Sequence, residues 1–108
     1  MSAVKWNVVQ IDRPTIPILL IQGGVIYALA NALRAKITIE KGRVVQGNFD
    51  DYEPLRMNEI PAVEAYFVPS TEAPTGAGEP PVPPVAPALC NAIYAATKKR
   101  IRALPILS

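Results

Sequence analysis

Ile37-Thr38-Ile39-Glu40-Lys41-Gly42-Arg43-Val44-Val45-Gln46 reads as two short β-branched runs folded about a Lys-Gly turn. β-Branched side chains suit a pleated, half-covered surface, and Gly42 supplies the positive φ that a tight connection needs, so the stretch predicts a β-hairpin. Just before it, Val25, Ile26, Leu29, Ala30 and Leu33 recur at three- and four-residue spacing. That periodicity predicts a helix with one buried face, starting after Gly23-Gly24 and running to about Ala35. Further upstream, Val4 to Ile11 mixes apolar and polar positions with β-branched residues and reads as a strand ended by Pro14. Downstream, Asn48, Asp50, Asp51, Pro54, Asn58 and Pro61 break any period, so 47–61 is expected to be a long ordered excursion. Val63 to Val68 alternates and reads as a further strand, closed by Pro69.

Seven of the twelve prolines lie between Pro69 and Pro87. Pro is tolerated in a first helical turn, where N–H groups have no intrahelical partner, so Pro83, Pro84 and Pro87 fit a helix starting near Pro84. Its buried stripe is expected to be Val85, Leu89, Ile93 and Ala96. Lys98, Lys99, Arg100 and Arg102 read as a solvated cap that complements the negative end of the helix dipole. The expected fold is α+β: a small, mainly antiparallel sheet built from a strand, a helix, a hairpin and a strand, with the C-terminal helix packed on it. At 108 residues the chain is expected to form a single domain, 1–108.

Composition narrows the chemistry. There is no His and one Cys, so no imidazole base, His-bearing zinc site or four-thiolate cluster can come from this sequence alone. A lone Cys90 excludes an internal disulfide and fits a reducing, cytoplasmic compartment, and no secretory signal pattern opens the chain. Cys90 itself reads as a small core residue in the last helix. A net charge of +2, with both signs scattered, argues against nucleic acid as a partner. No charged residue occurs between Arg13 and Arg34, but Pro14, Pro17 and Gly23-Gly24 suggest separate segments rather than a membrane span. Asp50, Asp51 and Glu53 lack the spaced oxygen ligands of a calcium loop, so no metal site is expected. Trp6, Tyr27, Tyr52, Tyr66, Phe67 and Tyr94 read as packing residues.

One stretch carries more chemistry than the rest. Gly76-Ala77-Gly78-Glu79-Pro80-Pro81 puts a single carboxylate between two glycines and two prolines, just ahead of a helix. Glycines let backbone approach a ligand and prolines restrict the loop, so Glu79 would be held in a narrow range of positions, as a general base must be. The same pattern also describes an ordinary solvated loop with Glu near a helix start.

Longer motifs extend the pattern. Gly76 to Ala88, Asn91-Ala92-Ile93-Tyr94-Ala95-Ala96-Thr97, Asn48-Phe49-Asp50-Asp51-Tyr52-Glu53-Pro54-Leu55-Arg56-Met57, Val68-Pro69-Ser70-Thr71-Glu72 and Lys99-Arg100-Ile101-Arg102-Ala103-Leu104-Pro105 together resemble the C-terminal region of the molybdopterin-binding large subunit of the xanthine oxidase and aldehyde oxidase family, in particular its isoquinoline 1-oxidoreductase beta-subunit-like branch. The resemblance runs from about Gly23 onward, and residues 1–21 diverge. Leu20 and Gln22 stand where the family's Gln-x-Glu-Gly motif has Gln and Glu.

The resemblance implies that Glu79 corresponds to the catalytic base facing the molybdenum, with Gly76, Ala77 and Gly78 forming the loop beside the cofactor. It also implies a molybdopterin-type cofactor in the complete enzyme, supported by further molybdopterin-subunit sequence and an iron–sulfur subunit. For the isolated chain no cofactor and no turnover are expected. Two readings follow: a detached, non-catalytic domain that covers its orphaned surface by homo-oligomerisation, or the Glu79-bearing fragment of a split molybdenum hydroxylase active only with a partner chain.

Overall fold

The computed structural model describes residues 4–9, 15–73 and 75–107. Strand β1 (Val4–Val9) is followed by helix α1 (Thr15–Leu33), strands β2 (Ile39–Glu40) and β3 (Arg43–Val44), strand β4 (Val63–Val68) and helix α2 (Val82–Thr97).

Helix α1 starts well before the paired glycines and carries both of them in its middle. Pro17 is accommodated because it lies in the first turn, where its missing N–H leaves no bond unmade. The buried face is Ile21, Val25, Ala28, Leu29 and Ala32, a three- and four-residue stripe that outweighs the propensity cost of two glycines, about 1 kcal/mol each. The expected separate segments are thus one helix. No helix among the described residues is long and apolar enough to cross a membrane.

The core is small. Ile21, Val25, Ala28 and Leu29 of α1 meet Val85 of α2, with Leu55, Val63, Ala65, Phe67, Val82 and Leu89 packed against them. Strand β4 alternates as its sequence predicts: Val63, Ala65 and Phe67 are half-buried while Glu64, Tyr66 and Val68 face outward.

The α+β class, the element order and the C-terminal helix agree with the sequence reading. The strand pairing differs in one respect: antiparallel pairing is confined to the hairpin, and the described strands form two separate pairs. β1 runs parallel to β4, in register from Val4 opposite Val63 to Val9 opposite Val68. The physical reason is the connection, because α1 and the segments after it supply the long crossover that parallel neighbours require. β2 and β3 pair only through Ile39 with Val44 and Glu40 with Arg43. Lys41 and Gly42, at φ 50° and 77°, make the turn, and Gln46 closes the base by accepting from the Thr38 N–H and donating to its hydroxyl.

The excursion 47–61 is ordered by local polar contacts. Asn48 accepts from the Phe49 N–H at the start of a short 3-10 turn (Phe49–Asp51), and Asp51 accepts from the Gly47 N–H. Arg34, at the end of α1, pairs with Glu59 and reaches Glu53 at 3.7 Å, which ties the excursion to the helix.

Helix α2 begins at Val82, close to the expected start, with Pro83 and Pro84 in its first turn. Of its expected stripe Val85 is buried, Leu89 and Ile93 are half-buried and Ala96 is exposed. The helix ends at Thr97, where Lys98 adopts a left-handed conformation (φ 61°) and donates its N–H to the Tyr94 carbonyl. The cationic run therefore does not cap the last turn as expected: Lys98 turns the chain off the helix axis before the other cations follow. The tail then returns to α1, where the Ile106 and Leu107 N–H groups donate to the Ala32 and Leu33 carbonyls, each at 2.9 Å. Those are C-terminal carbonyls that the helix itself cannot satisfy.

Candidate functional site

The Gly76–Pro81 loop rests on the middle of α1. A side chain at Gly24 would overlap the Gly78 carbonyl oxygen and come within 2.7 Å of Pro81 Cγ. Gly24 is thus the place where loop backbone lies directly on helix backbone, an approach only glycine permits. Pro81 is fully buried in this contact and Ala77 is buried beside it, so two residues pin the loop from below. The Val82 N–H donates to the Glu79 carbonyl at 2.9 Å, closing the turn that leads into α2.

What the pinned loop presents outward is Glu79. Its carboxylate is solvent-exposed and lies back over Gly76, where an added Cβ would sit 3.3 Å from Oε2. Gly76 therefore leaves room for the carboxylate, and Gly78, with open space at its Cα, lends its carbonyl to the Gly24 contact. The sequence brings Gly76, Ala77, Gly78 and Glu79 forward as a set, and they do occupy one loop with distinct placements. Ala77 faces the core, so only its backbone is available to a ligand.

Sequence reasoning missed Gly24 as part of this site. The signal for Gly24 was present in Gly23-Gly24, read as a helix boundary rather than as a contact inside one. Away from the loop contact, Gln22 donates from Nε2 to the Val63 carbonyl at 3.1 Å and so ties α1 to β4. An amide can make that bond and a carboxylate cannot, which accounts for Gln at a position where the resemblance leads one to expect Glu.

The other polar cluster lies at the far end of α1. The Arg34 guanidinium and the Arg56 N–H both donate to the Glu59 carboxylate, and these bonds hold its pKa below the usual carboxylate range. Among the described residues no group of three or more His, Cys, Asp or Glu side chains could hold a metal. Tyr27 and Tyr66, expected to pack, are instead about half exposed.

A groove of about 470 Å³ runs between α1, α2 and the start of β4 and is almost wholly apolar, with Val25, Leu29, Leu55, Val63, Leu89 and Ile93 along it. A cleft of about 410 Å³ lies between α2 and the C-terminal tail, walled by Cys90 and Asn91. Cys90 is therefore a half-buried cleft residue rather than a core one. Neither cavity is lined by Gly76–Glu79. As a cradle for a pterin-bound metal, the loop offers one carboxylate and bare backbone on an open surface, which makes one wall of a site and not an enclosure. These residues by themselves do not fit such a cofactor.

No family model matches the chain. It is 31% identical over 100 residues to the beta subunit of isoquinoline 1-oxidoreductase from Brevundimonas diminuta, covering 93% of this chain and 13% of that protein. It is 38% identical over 85 residues to a membrane-bound aldehyde dehydrogenase (pyrroloquinoline-quinone) of Gluconacetobacter polyoxogenes, covering 79% of this chain and 11% of that protein. A nicotinate dehydrogenase subunit of Pseudomonas putida is 36% identical over 87 residues, 80% of this chain and 7% of that protein. The crystal structure of a Cu,Mo-CO dehydrogenase in its carbon monoxide reduced state superposes with a TM-score of 0.70 at 25% identity, over 94% of this chain and 14% of that one.

The class these matches define is that of oxidoreductase subunits. The chain resembles a region of the molybdenum-binding subunit of the xanthine oxidase family. It spans roughly an eighth or less of the length of the curated relatives it matches, at 13%, 11% and 7%.

Proposed function

We propose that these 108 residues constitute a unit of the molybdenum-hydroxylase type that does not turn over substrate alone and that covers its apolar groove by self-association. The observation that carries this reading is the groove itself. Leu89 and Ile93, which belong to the hydrophobic face of α2, are left half-buried beside about 470 Å³ of apolar space. Further apolar surface lies on the hairpin, where Ile37 and Ile39 are each 69% exposed. Contiguous apolar surface of this kind on a small chain marks an interaction site. A second copy presents the same apolar surface and so has the chemistry to cover it.

A second reading rests on a different observation. Glu79 is held by the Gly24 and Pro81 contacts with its carboxylate facing outward, which is the geometry of a base offered to a neighbouring surface. In this reading the chain lends Glu79 to a partner carrying the remaining molybdopterin-subunit sequence, which in turn docks an iron–sulfur subunit. The molybdenum cofactor would supply the oxygen-transfer chemistry there. The part of Glu79 is to take a proton from a group brought within hydrogen-bond reach, and that of Gly76 and Gly78 to keep the approach open.

Sedimentation of the protein, alone and in an extract of its source depleted of it, tests both readings. A discrete homo-oligomer unchanged by extract supports self-association. A strict monomer at high micromolar concentration overturns it, and a shift onto a large molybdenum-containing particle favours the split enzyme.

A further inference from the structure

All nine acidic residues of the chain precede Pro80, and from Pro80 to Ser108 the only charged side chains are Lys98, Lys99, Arg100 and Arg102. The fold gathers part of this charge at the cleft between α2 and the tail, whose lining includes Arg100, Arg102, Asn91 and the Cys90 thiol but no carboxylate. The cleft is fixed at both ends: α2 forms one wall, and the tail is bonded to the Ala32 and Leu33 carbonyls of α1.

Arg100 is held rather than free. Its guanidinium carbon lies 3.7 Å from the centroid of the Tyr94 ring, and Nη1 donates to Asn91 Oδ1 at 3.1 Å. A stacked guanidinium keeps its in-plane donors available while losing most of its rotamer freedom, which lowers the entropic cost of binding an oxyanion. Among the described residues both ion pairs belong to Arg34, so neither Arg100 nor Arg102 is neutralised by them. Two arginines without a carboxylate partner among the described residues, one of them pre-oriented, line a cleft of about 410 Å³, and paired guanidinium groups have the chemistry to receive a tetrahedral dianion.

We propose that this cleft binds a small phosphate-bearing ligand, with Arg100 and Arg102 as the fork that grips the phosphate and Asn91 as the residue that holds Arg100 in position. This site lies apart from the Glu79 loop and is independent of the function proposed for it.

The test is titration of the protein with inorganic phosphate and with pyrophosphate at constant ionic strength, followed through the arginine Nε–Hε resonances. Saturable shifts at Arg100 and Arg102, with a dissociation constant of about 1 mM or tighter, are expected. Arg100→Gln and Arg102→Gln should each weaken binding by about tenfold or more. Lys99→Gln, which does not line the cleft, should leave it unchanged. Each variant's amide spectrum confirms that it remains folded. Three results would overturn the proposal: shifts that never saturate and are matched by chloride, acetate binding as tightly as phosphate, or Lys99→Gln weakening binding as much as either arginine variant.

Discussion

At Gly24 the absence of a side chain is what lets the Glu79 loop lie on α1. Gly24→Ala forces Cβ against the Gly78 carbonyl and Pro81, neither of which is the end of a flexible side chain, so a loss of about 3 kcal/mol is expected. Gly23→Ala, one residue away with open space around it, should instead raise stability by about 0.5–1 kcal/mol. Urea unfolding of the two variants makes the comparison, and equal effects would remove Gly24 from the site. Gln22→Glu replaces a donor to the Val63 carbonyl with an acceptor, and a cost of about 1–3 kcal/mol at neutral pH is expected from the same measurement. Glu59 gives the molecule an acid-side dependence. Its pKa is lowered in the fold by the Arg34 and Arg56 hydrogen bonds, so its contribution is present above the ordinary glutamate range and is lost as pH falls through the folded-state value. Thermal melts from neutral pH downward should show this loss in the native protein and a flatter profile in Glu59→Gln. Glu79 and its glycines were legible as a set because their chemistry is local to six residues. Gly24 and Gln22 were not, because each acts on a partner more than forty positions away and nothing in a single sequence marks such a pairing.

The elements that could be read were those whose pattern is repeated along the chain. Strand β4 alternates over six residues and appears with the bounds its sequence predicts. The Lys41-Gly42 turn was equally visible through its glycine, although Lys41 shares the positive φ. Helix α1 was harder, because Pro17 and two glycines argue locally against a helix while the stripe from Ile21 to Ala32 argues for one, and burial decided between them. The end of α2 shows the opposite case. Four cations suggested a dipole-complementing cap, but Lys98 takes a left-handed conformation that costs a side-chain-bearing residue about 1–2 kcal/mol. Lys98→Gly relieves that cost and should stabilise the protein by about 1 kcal/mol, a rise in Tm of about 4–8 °C by calorimetry. An unchanged or lower Tm would show that the lysine side chain compensates for its backbone.

At the scale of the whole molecule, the decisive feature among the described residues is incomplete closure. The cluster around Ile21, Val25 and Val85 buries one side of each helix, and the groove beside it leaves Leu89 and Ile93 only partly covered. Ala96 sits exposed on the same groove. Ala96→Glu places a charge there without entering the core, so it should abolish the proposed self-association while changing unfolding free energy by less than about 0.5 kcal/mol. Sedimentation equilibrium at several concentrations checks the first effect and urea unfolding the second. An oligomer that survives the charge would move the interface elsewhere, with the exposed hairpin the next surface to alter.

Composition, periodicity and turn chemistry by themselves determined the α+β class, the order of elements and the carboxylate-bearing loop, and the long motifs pointed to the family to which the chain is related. These are properties of neighbouring residues or of extended motifs, and they survive without knowledge of what packs on what. Tertiary structure alone decided that β1 and β4 pair in parallel, that α1 runs unbroken through its glycines, and that the cationic tail folds back along α2 instead of capping it. Each of those outcomes balances a local preference against burial or hydrogen bonding to a distant segment, and the distant segment prevailed because several side chains or satisfied carbonyls outweigh one backbone propensity.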